Sequence, residues 1–497
     1  MVDKGLVVTL VLDCCFSASV YRNIDSENAR YLSYNWPDSR QASDLENSLA
    51  SLAARSTKRD ASMRDNWLLN PDQYTILAAC GPHETAKERL ETSQWSGALS
   101  SRLVKALSSS SNGLRRSHGD IYRHLRTSFR ESGVAQNPVL YGNQNQGFFG
   151  LVDPDHQLRA IGIAKHEGKV RLLAGKAHGF RDGDKFDILS QSTSNLGSKE
   201  RLIAKITRTG PLTSELELPN SLDSLAGWIA KPLDGSYPQD FRIQLAPNLP
   251  HKDEWLTVLK ERSLEAHINV EQAFDLKVVL GSSGEYEILN EHSQKVINLP
   301  TLPQSQTNAK RICNIIEHLA QFTMVKNLSN KLATNNFRNS FEVRMSADKK
   351  EPYSPGEQIE IQHESIVRLQ ITRKKEDTGL YIFVYDLGPF WKVERMHGAT
   401  YVDMPPRKKL LANGGYARDI EMCEWKIKMM VPDVLREHGS CEDIIKIIVT
   451  SKPTTFDLLE LPDIEKLSSA STKLRITHFE DVLEDWAAFN FPIRTSC

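Results

Sequence analysis

Leu6-Val7-Val8-Thr9-Leu10-Val11-Leu12-Asp13-Cys14-Cys15-Phe16-Ser17 opens with a nearly continuous run of apolar and β-branched residues. Such a run, with no polar face, predicts a strand buried on both sides, as in a parallel sheet covered by helices. In such sheets ligands and reacting groups gather beyond the carboxyl ends of the strands, and Asp13-Cys14-Cys15 stands at that end. Two adjacent thiols after a strand are also ordinary small apolar packing residues. Tyr74-Thr75-Ile76-Leu77-Ala78-Ala79-Cys80 reads as a second buried strand. Gly97 through Leu107 has helical spacing. Ser117 caps a further helix running to Arg130, with Asp120 in its first turn. This strand–helix alternation is the mark of an α/β domain.

Between these elements, residues 23–72 are rich in Ser, Asp, Asn and Arg, with one helical patch near Ala42–Ala54. They read as a long exposed connection. Beyond residue 152 the texture changes. Arg159–Ala174 predicts a hairpin turning at Glu167-Gly168. The cluster Gly179-Phe180-Arg181-Asp182-Gly183-Asp184 predicts a turn that feeds a strand at Lys185–Leu189. With strands at Leu202–Thr207 and Ser214–Leu218, residues 153–236 read as a small β domain. Residues 237–335 read as a mixed α/β segment with a strand at Phe241–Leu245 and helices near Trp255–Arg262 and from Asn308 to Asn327. Residues 336–497 carry the predicted strands Gln358–Gln362, Ser365–Thr372, Leu380–Asp386, Trp391–Met396, Trp425–Met430 and Ile444–Thr450, which suggest a β-sandwich-like domain with a C-terminal tail.

The chain has 497 residues, 40% hydrophobic and 25% charged, which fits a multidomain globular protein. A formal net charge of −1 gives no field that favours nucleic acid or an anionic membrane. The longest apolar run, Leu6–Leu12, is too short to span a bilayer, and Asp13 follows it where a secretory signal would have small residues. The 7 cysteines (14, 15, 80, 313, 423, 441, 497) form no CxxC pair and no zinc spacing. That sparse set suits reduced thiols in the cytoplasm, with the nucleus also compatible.

Several stretches together resemble one family. Leu10 through Ser17 resembles the nucleophile motif Asp-x-Cys-His-Ser-Gly of metacaspases and fungal caspase-domain proteins. Ile76-Leu77-Ala78-Ala79-Cys80-Gly81-Pro82-His83-Glu84-Thr85-Ala86-Lys87-Glu88 is similar to the family's small-subunit strand. Gly97-Ala98-Leu99 matches its helix start, and Gln136-Asn137-Pro138-Val139-Leu140-Tyr141-Gly142-Asn143 its closing Gln-x-Pro…Gly segment. The four motifs fall in the family's order over residues 5–152.

The resemblance implies a partial caspase-like peptidase domain at 1–152, built on a parallel-rich sheet with helices. It implies a cysteine-type endopeptidase in which Cys15 is the nucleophile and Cys14 its neighbour. Asp13 matches an acid that lines the first specificity pocket, implying a preference for Arg or Lys before the scissile bond, and Glu88 falls near a second acid of that pocket. Residues 23–72 take the place of the intersubunit linker, which makes Arg55, Lys58, Arg59 and Arg64 candidate autoprocessing sites. The family's calcium activation is implied by resemblance alone; Phe16–Ile24 contains no carboxylate, and no cofactor or metal site is evident in the residues.

This sequence departs from the pattern in one respect that bears on activity. The family's base is a histidine of a His-Gly motif upstream of the cysteine, but the 14 residues before Cys15 contain no histidine. Phe16 and Ala18 replace the motif's own histidine and glycine. His83, His118 and His124 read as surface or helix histidines. One expectation is that Met1 is internal to a longer natural chain; the other is a pseudo-peptidase. Two functional readings follow: an endopeptidase acting on peptide or protein substrates, with little turnover from these residues, and a non-catalytic interaction or regulatory protein. Residues 153–497 show no nucleophile–base pair or phosphate loop, so protein partners are the expected role of the C-terminal β domains.

Overall fold

The computed structural model describes residues 8–14, 61–63, 74–81, 84, 86–91, 94–108, 116–134, 136–149, 160–166, 168–190, 202–218, 228–233, 241–262, 264–268, 272–330, 335–347, 351–375, 377–397, 400–404, 406, 422–466, 475–476 and 484–497. They form a mixed α/β protein with many sheets and few helices. In chain order the first elements are β1 (Val8–Leu12), β2 (Ala61–Met63), β3 (Tyr74–Ala78), β4 (Glu88–Glu91), β5 (Gln94–Gly97), α1 (Ala98–Ser108), α2 (His118–Glu131) and β6 (Val139–Gly142). β3 is the centre of a three-stranded sheet, parallel to β1 and antiparallel to β6. The parallel-rich sheet expected here therefore has one parallel and one antiparallel pair. The helical patch near 42–54 lies outside the described residues. Ala61–Met63, read as connection, instead pairs with a strand of the C-terminal region.

β3 alternates faces. Leu77 and Ala79 pack under α1 and α2 with Leu99, Leu103, Ile121, Leu125 and Phe129. Tyr74, Ile76 and Ala78 face the other way, against Phe383, Tyr385, Val393, Tyr401 and Phe456 of the C-terminal region. So helices cover only one face; a β-sheet covers the other, and Thr400 Oγ1 donates to Leu140 O across that junction at 3.0 Å. Full burial was expected for β1 as well, but β1 is half-buried and Leu10 is exposed. Its only ladder partner among the described residues is β3. Helix α2 begins at the capping residue read from sequence. Ser117 Oγ accepts from Asp120 N at 3.2 Å and Asp120 Oδ2 accepts from Ser117 N at 3.2 Å, a reciprocal capping box.

Next come β7 (Ala160–His166), β8 (Lys169–Leu172), β9 (Lys185–Ser190), β10 (Leu202–Thr209), β11 (Ser214–Glu217) and β12 (Trp228–Pro232). β12 pairs with both β9 and β7, so the six strands close into a barrel in the order β7-β8-β11-β10-β9-β12. Ile161, Ile163, Leu172, Phe186, Ile188, Ala204, Ile206 and Ala230 fill it. β13 (Arg242–Leu245), α3 (Lys252–Glu261), β14 (Glu265–His267), β15 (Leu276–Leu280), β16 (Tyr286–Asn290) and α4 (Ala309–Asn327) follow. Their sheet runs β14-β13-β15-β16, and both α3 and α4 pack on it through Trp255, Leu259, Ile312 and Ile316.

The remaining elements are α5 (Asn335–Arg338), β17 (Phe341–Ala347), β18 (Ile359–Gln362), β19 (Ile366–Arg373), β20 (Leu380–Leu387), β21 (Val393–Arg395), β22 (Val402–Met404), β23 (Met422–Met429), β24 (Ser440–Thr450), β25 (Arg475–Ile476) and β26 (Trp486–Ser496). Sheet β17-β19-β23-β2 and sheet β18-β26-β24-β20-β21 share one core that includes Val343, Leu369, Ile427, Ile447, Phe491 and Ile493. β25 joins the barrel beside β7. The chain's end is no tail: β26 pairs with β24 over its whole length and with β18 from Ile493 onward. Pro492 sits just before the β18 ladder starts, where its missing N–H is tolerated.

Lys446 of β24 is fully buried and stands at the end of α4. Its Nζ donates to Leu328 O at 2.9 Å, to Asn490 Oδ1 at 3.0 Å and to Lys326 O at 3.2 Å. Burial pushes its pKa down to about 7. The folded value lies below the unfolded one, near 10.5, so the folded state resists protonation. Its contribution to stability is therefore complete above pH ~10.5 and is lost as pH falls through ~7. Thermal unfolding of the chain and of Lys446→Met should accordingly diverge with rising pH, the parent gaining on the variant between pH 7 and 10; a constant difference would contradict this.

Candidate active site

Cys15, His83, Arg55, Lys58, Arg59 and Arg64 lie outside the described residues, so the site is built from what surrounds the end of β1. Ala79 N donates to Leu12 O at 2.8 Å, which keeps the carboxyl ends of β1 and β3 side by side. Asp13 follows directly. Its Oδ2 accepts from Ser100 N at 2.9 Å and from Ser100 Oγ at 2.6 Å. The carboxylate thus serves one amide of the first turn of α1, that of Ser100, where the helix dipole also favours negative charge. Gly97 makes this approach feasible, because a Cβ there would lie 1.9 Å from Asp13 Oδ2. Asp13 Oδ1 is buried and has no hydrogen-bond partner among the described residues.

A second layer holds this corner. Cys80 Sγ donates to Glu84 O at 3.1 Å and lies 3.6 Å from Cys14 O, while Cys14 itself is exposed. Glu84 Oε2 accepts from Asn137 N at 3.0 Å and Gly81 N at 3.2 Å, and its Oε1 from Asn137 Nδ2 at 2.6 Å. Gln136 Nε2 donates to Ala79 O at 2.8 Å, and Gln136 Oε1 accepts from Lys87 N at 2.7 Å. Gly142 has φ +83°, and a Cβ there would sit 2.2 Å from Tyr74 O. The motif residues Gln136, Asn137 and Gly142 therefore have structural duties around β3. Glu84 was not singled out from sequence; its place between Gly81 and Asn137 within two quoted motifs was the available signal.

Glu88 pairs with Gly97 across the β4–β5 hairpin and is exposed. Directly opposed residues share a face, so Glu88 lies on the face where Gly97 meets Asp13. The two carboxylates singled out from sequence are thus brought to neighbouring positions. Trp95, two residues before Gly97 on the same face, is 69% exposed.

The described histidines of the three, His118 and His124, are not brought there. His118, read as a surface or helix histidine, is the first residue of α2 and is buried at the other end of β1. Its Nε2 stands 2.8 Å from Thr9 Oγ1 and its Nδ1 2.8 Å from Gln146 O. The carbonyl can only accept, so Nδ1–H donates to it and Nε2 accepts from the Thr9 hydroxyl. His124 is held down to a pKa of about 4, first by burial and then by the charge of Arg116. Among the described residues no group of His, Cys, Asp and Glu side chains is arranged to hold a metal ion, and no helix is long and apolar enough to cross a membrane.

No protein-family model matches the chain, and no curated protein or solved structure matches it.

Chemically, the corner is a fixed anion next to a strand end. A carboxylate disfavours a thiolate near it, whereas a helix N-terminus favours one. An incoming cation bound to Asp13 would cancel the first effect.

Proposed function

We propose that residues 1–152 are a partial caspase-like scaffold of the cysteine-peptidase type, with Cys15 as nucleophile and Asp13 as the acid that meets Arg or Lys before the scissile bond. One observation carries this reading: Asp13, two residues before Cys15, presents a buried carboxylate oxygen with no hydrogen-bond partner among the described residues, at the convergence of β1, β3 and α1. A buried charge of that kind is costly unless a cationic donor reaches it. In the reaction, the Cys15 thiolate would form a bond to the scissile carbonyl carbon. The carbon–nitrogen bond breaks with a proton passing to the leaving amine, and water then releases the acyl group from sulfur.

A second reading, a scaffold that binds basic peptides without cleaving them, is favoured by the histidines. His118 is engaged at the far end of β1 and His124 is depressed by burial. Loss of the base from such dyads costs several orders of magnitude in rate. Hydrolysis of fluorogenic peptides ending in Arg, Lys or Asp separates the two. The peptidase reading expects slow cleavage after Arg and Lys, absent in Cys15→Ala and retained in Cys14→Ala. A folded chain with no Cys15-dependent cleavage leaves the binding reading.

A further inference from the structure

We propose that Trp95 is the specificity-determining residue of this corner, its indole stacking on the guanidinium of an arginine that pairs with Asp13, so that arginine is chosen over lysine. The inference rests on the reading of Asp13 as the acid that meets a basic side chain. Trp95 and Gly97 are alternate residues of β5 and so point to one face, roughly 6.7 Å apart. Asp13 Oδ2 lies 1.9 Å from where a Gly97 Cβ would be, which places the carboxylate on that face. A cation held by Asp13 Oδ1 would then share its face with the indole, and a cation and a ring attract over ~6 Å.

Three features select the ligand. The indole is 69% exposed, which for a tryptophan leaves a large apolar face open to water. The Glu88 carboxylate, opposite Gly97 and exposed, adds a second negative charge to the same face. Among the described residues Asp13 has a single oxygen without a hydrogen bond, because Ser100 takes the other. A guanidinium meets all three at once: it is planar, stacks flat on a ring, donates sideways to a carboxylate and has spare N–H groups for Glu88. An ammonium is compact and strongly hydrated, and gains less from the ring.

The test uses the full chain carrying 5-fluorotryptophan, whose 8 tryptophans give separate fluorine resonances, with Trp95 assigned by its loss in Trp95→Phe. N-acetyl-arginine methylamide should shift the Trp95 resonance at several-fold lower concentration than N-acetyl-lysine methylamide, and Asp13→Asn should abolish both responses. A Trp95 resonance that does not move, that answers the two amides equally, or that still moves in Asp13→Asn overturns the proposal. The readout needs no thiol. A response at Trp95 without Cys15-dependent cleavage would leave this inference standing while the peptidase reading fails. Cleavage after basic residues with a silent Trp95 would do the reverse.

Discussion

Arg395→Ala should lower stability by about 3 kcal/mol, with the loss concentrated where the three-stranded sheet meets the C-terminal sheets. Arg395 ends β21, and its Nη1 lies 3.2 Å from Asp457 Oδ1 with both side chains nearly buried, at 12% and 11% exposure. Its Nε lies 3.4 Å from Glu460 Oε1, whose side chain is 34% exposed. The two contacts differ in weight. Glu460 can turn to water, so its share is small. Asp457 cannot, and without Arg395 it would be left as a buried carboxylate. Breaking such a pair typically costs about 3–5 kcal/mol. The lower end applies here because the Arg126 guanidinium of α2 also acts on Asp457. Hydrogen exchange read by mass spectrometry should show segments 380–395 and 456–461 opening on the order of a hundredfold more readily. Unchanged protection there would mean that the apolar contacts of Phe383, Tyr385 and Phe456 suffice alone.

The second large effect concerns the site. Asp13→Asn keeps an oxygen able to accept from Ser100, so α1 keeps its cap, while the charge is lost. A peptidyl chloromethyl ketone that ends in Arg, which a thiolate alkylates by displacing chloride, should trap the chain about a hundredfold more slowly in this variant, the cost of about 2–3 kcal/mol for removing one side of a desolvated charge pair. A ketone ending in a neutral side chain should change little. Equal slowing of both reagents would assign Asp13 a purely structural duty at α1.

Local features were legible in the sequence. The capping box of Ser117 and Asp120 spans four residues, and a strand as apolar as Tyr74–Ala78 reads directly. The helix read from Asn308 to Asn327 is α4, with Asn308 as its cap. What escaped depends on contacts between distant residues. Nothing in the sequence tells that Asp13 meets Ser100, and closure of the barrel requires Ile229 beside Gly162. β26 carries a clear period of two in Ala487, Phe489, Phe491 and Ile493, yet Pro492 within it argues against a central strand until the end of β18 is seen. The uniform apolar run of β1 overstated its burial, because burial also needs a neighbour on each side. The Asp13–Gly97–Glu88 cluster shows both sides of this. The motifs named the residues, but only the fold set them at one strand end.

The central claim is that Cys15, next to an acid for basic residues, is the reacting thiol. Its most direct test is to trap the full chain with the Arg-terminated ketone and locate the adduct by peptide mass mapping. The account predicts the modification on Cys15, formed faster than with an Asp-terminated ketone. Modification of Cys14 or of another cysteine instead, or equal trapping by the two reagents, would contradict it.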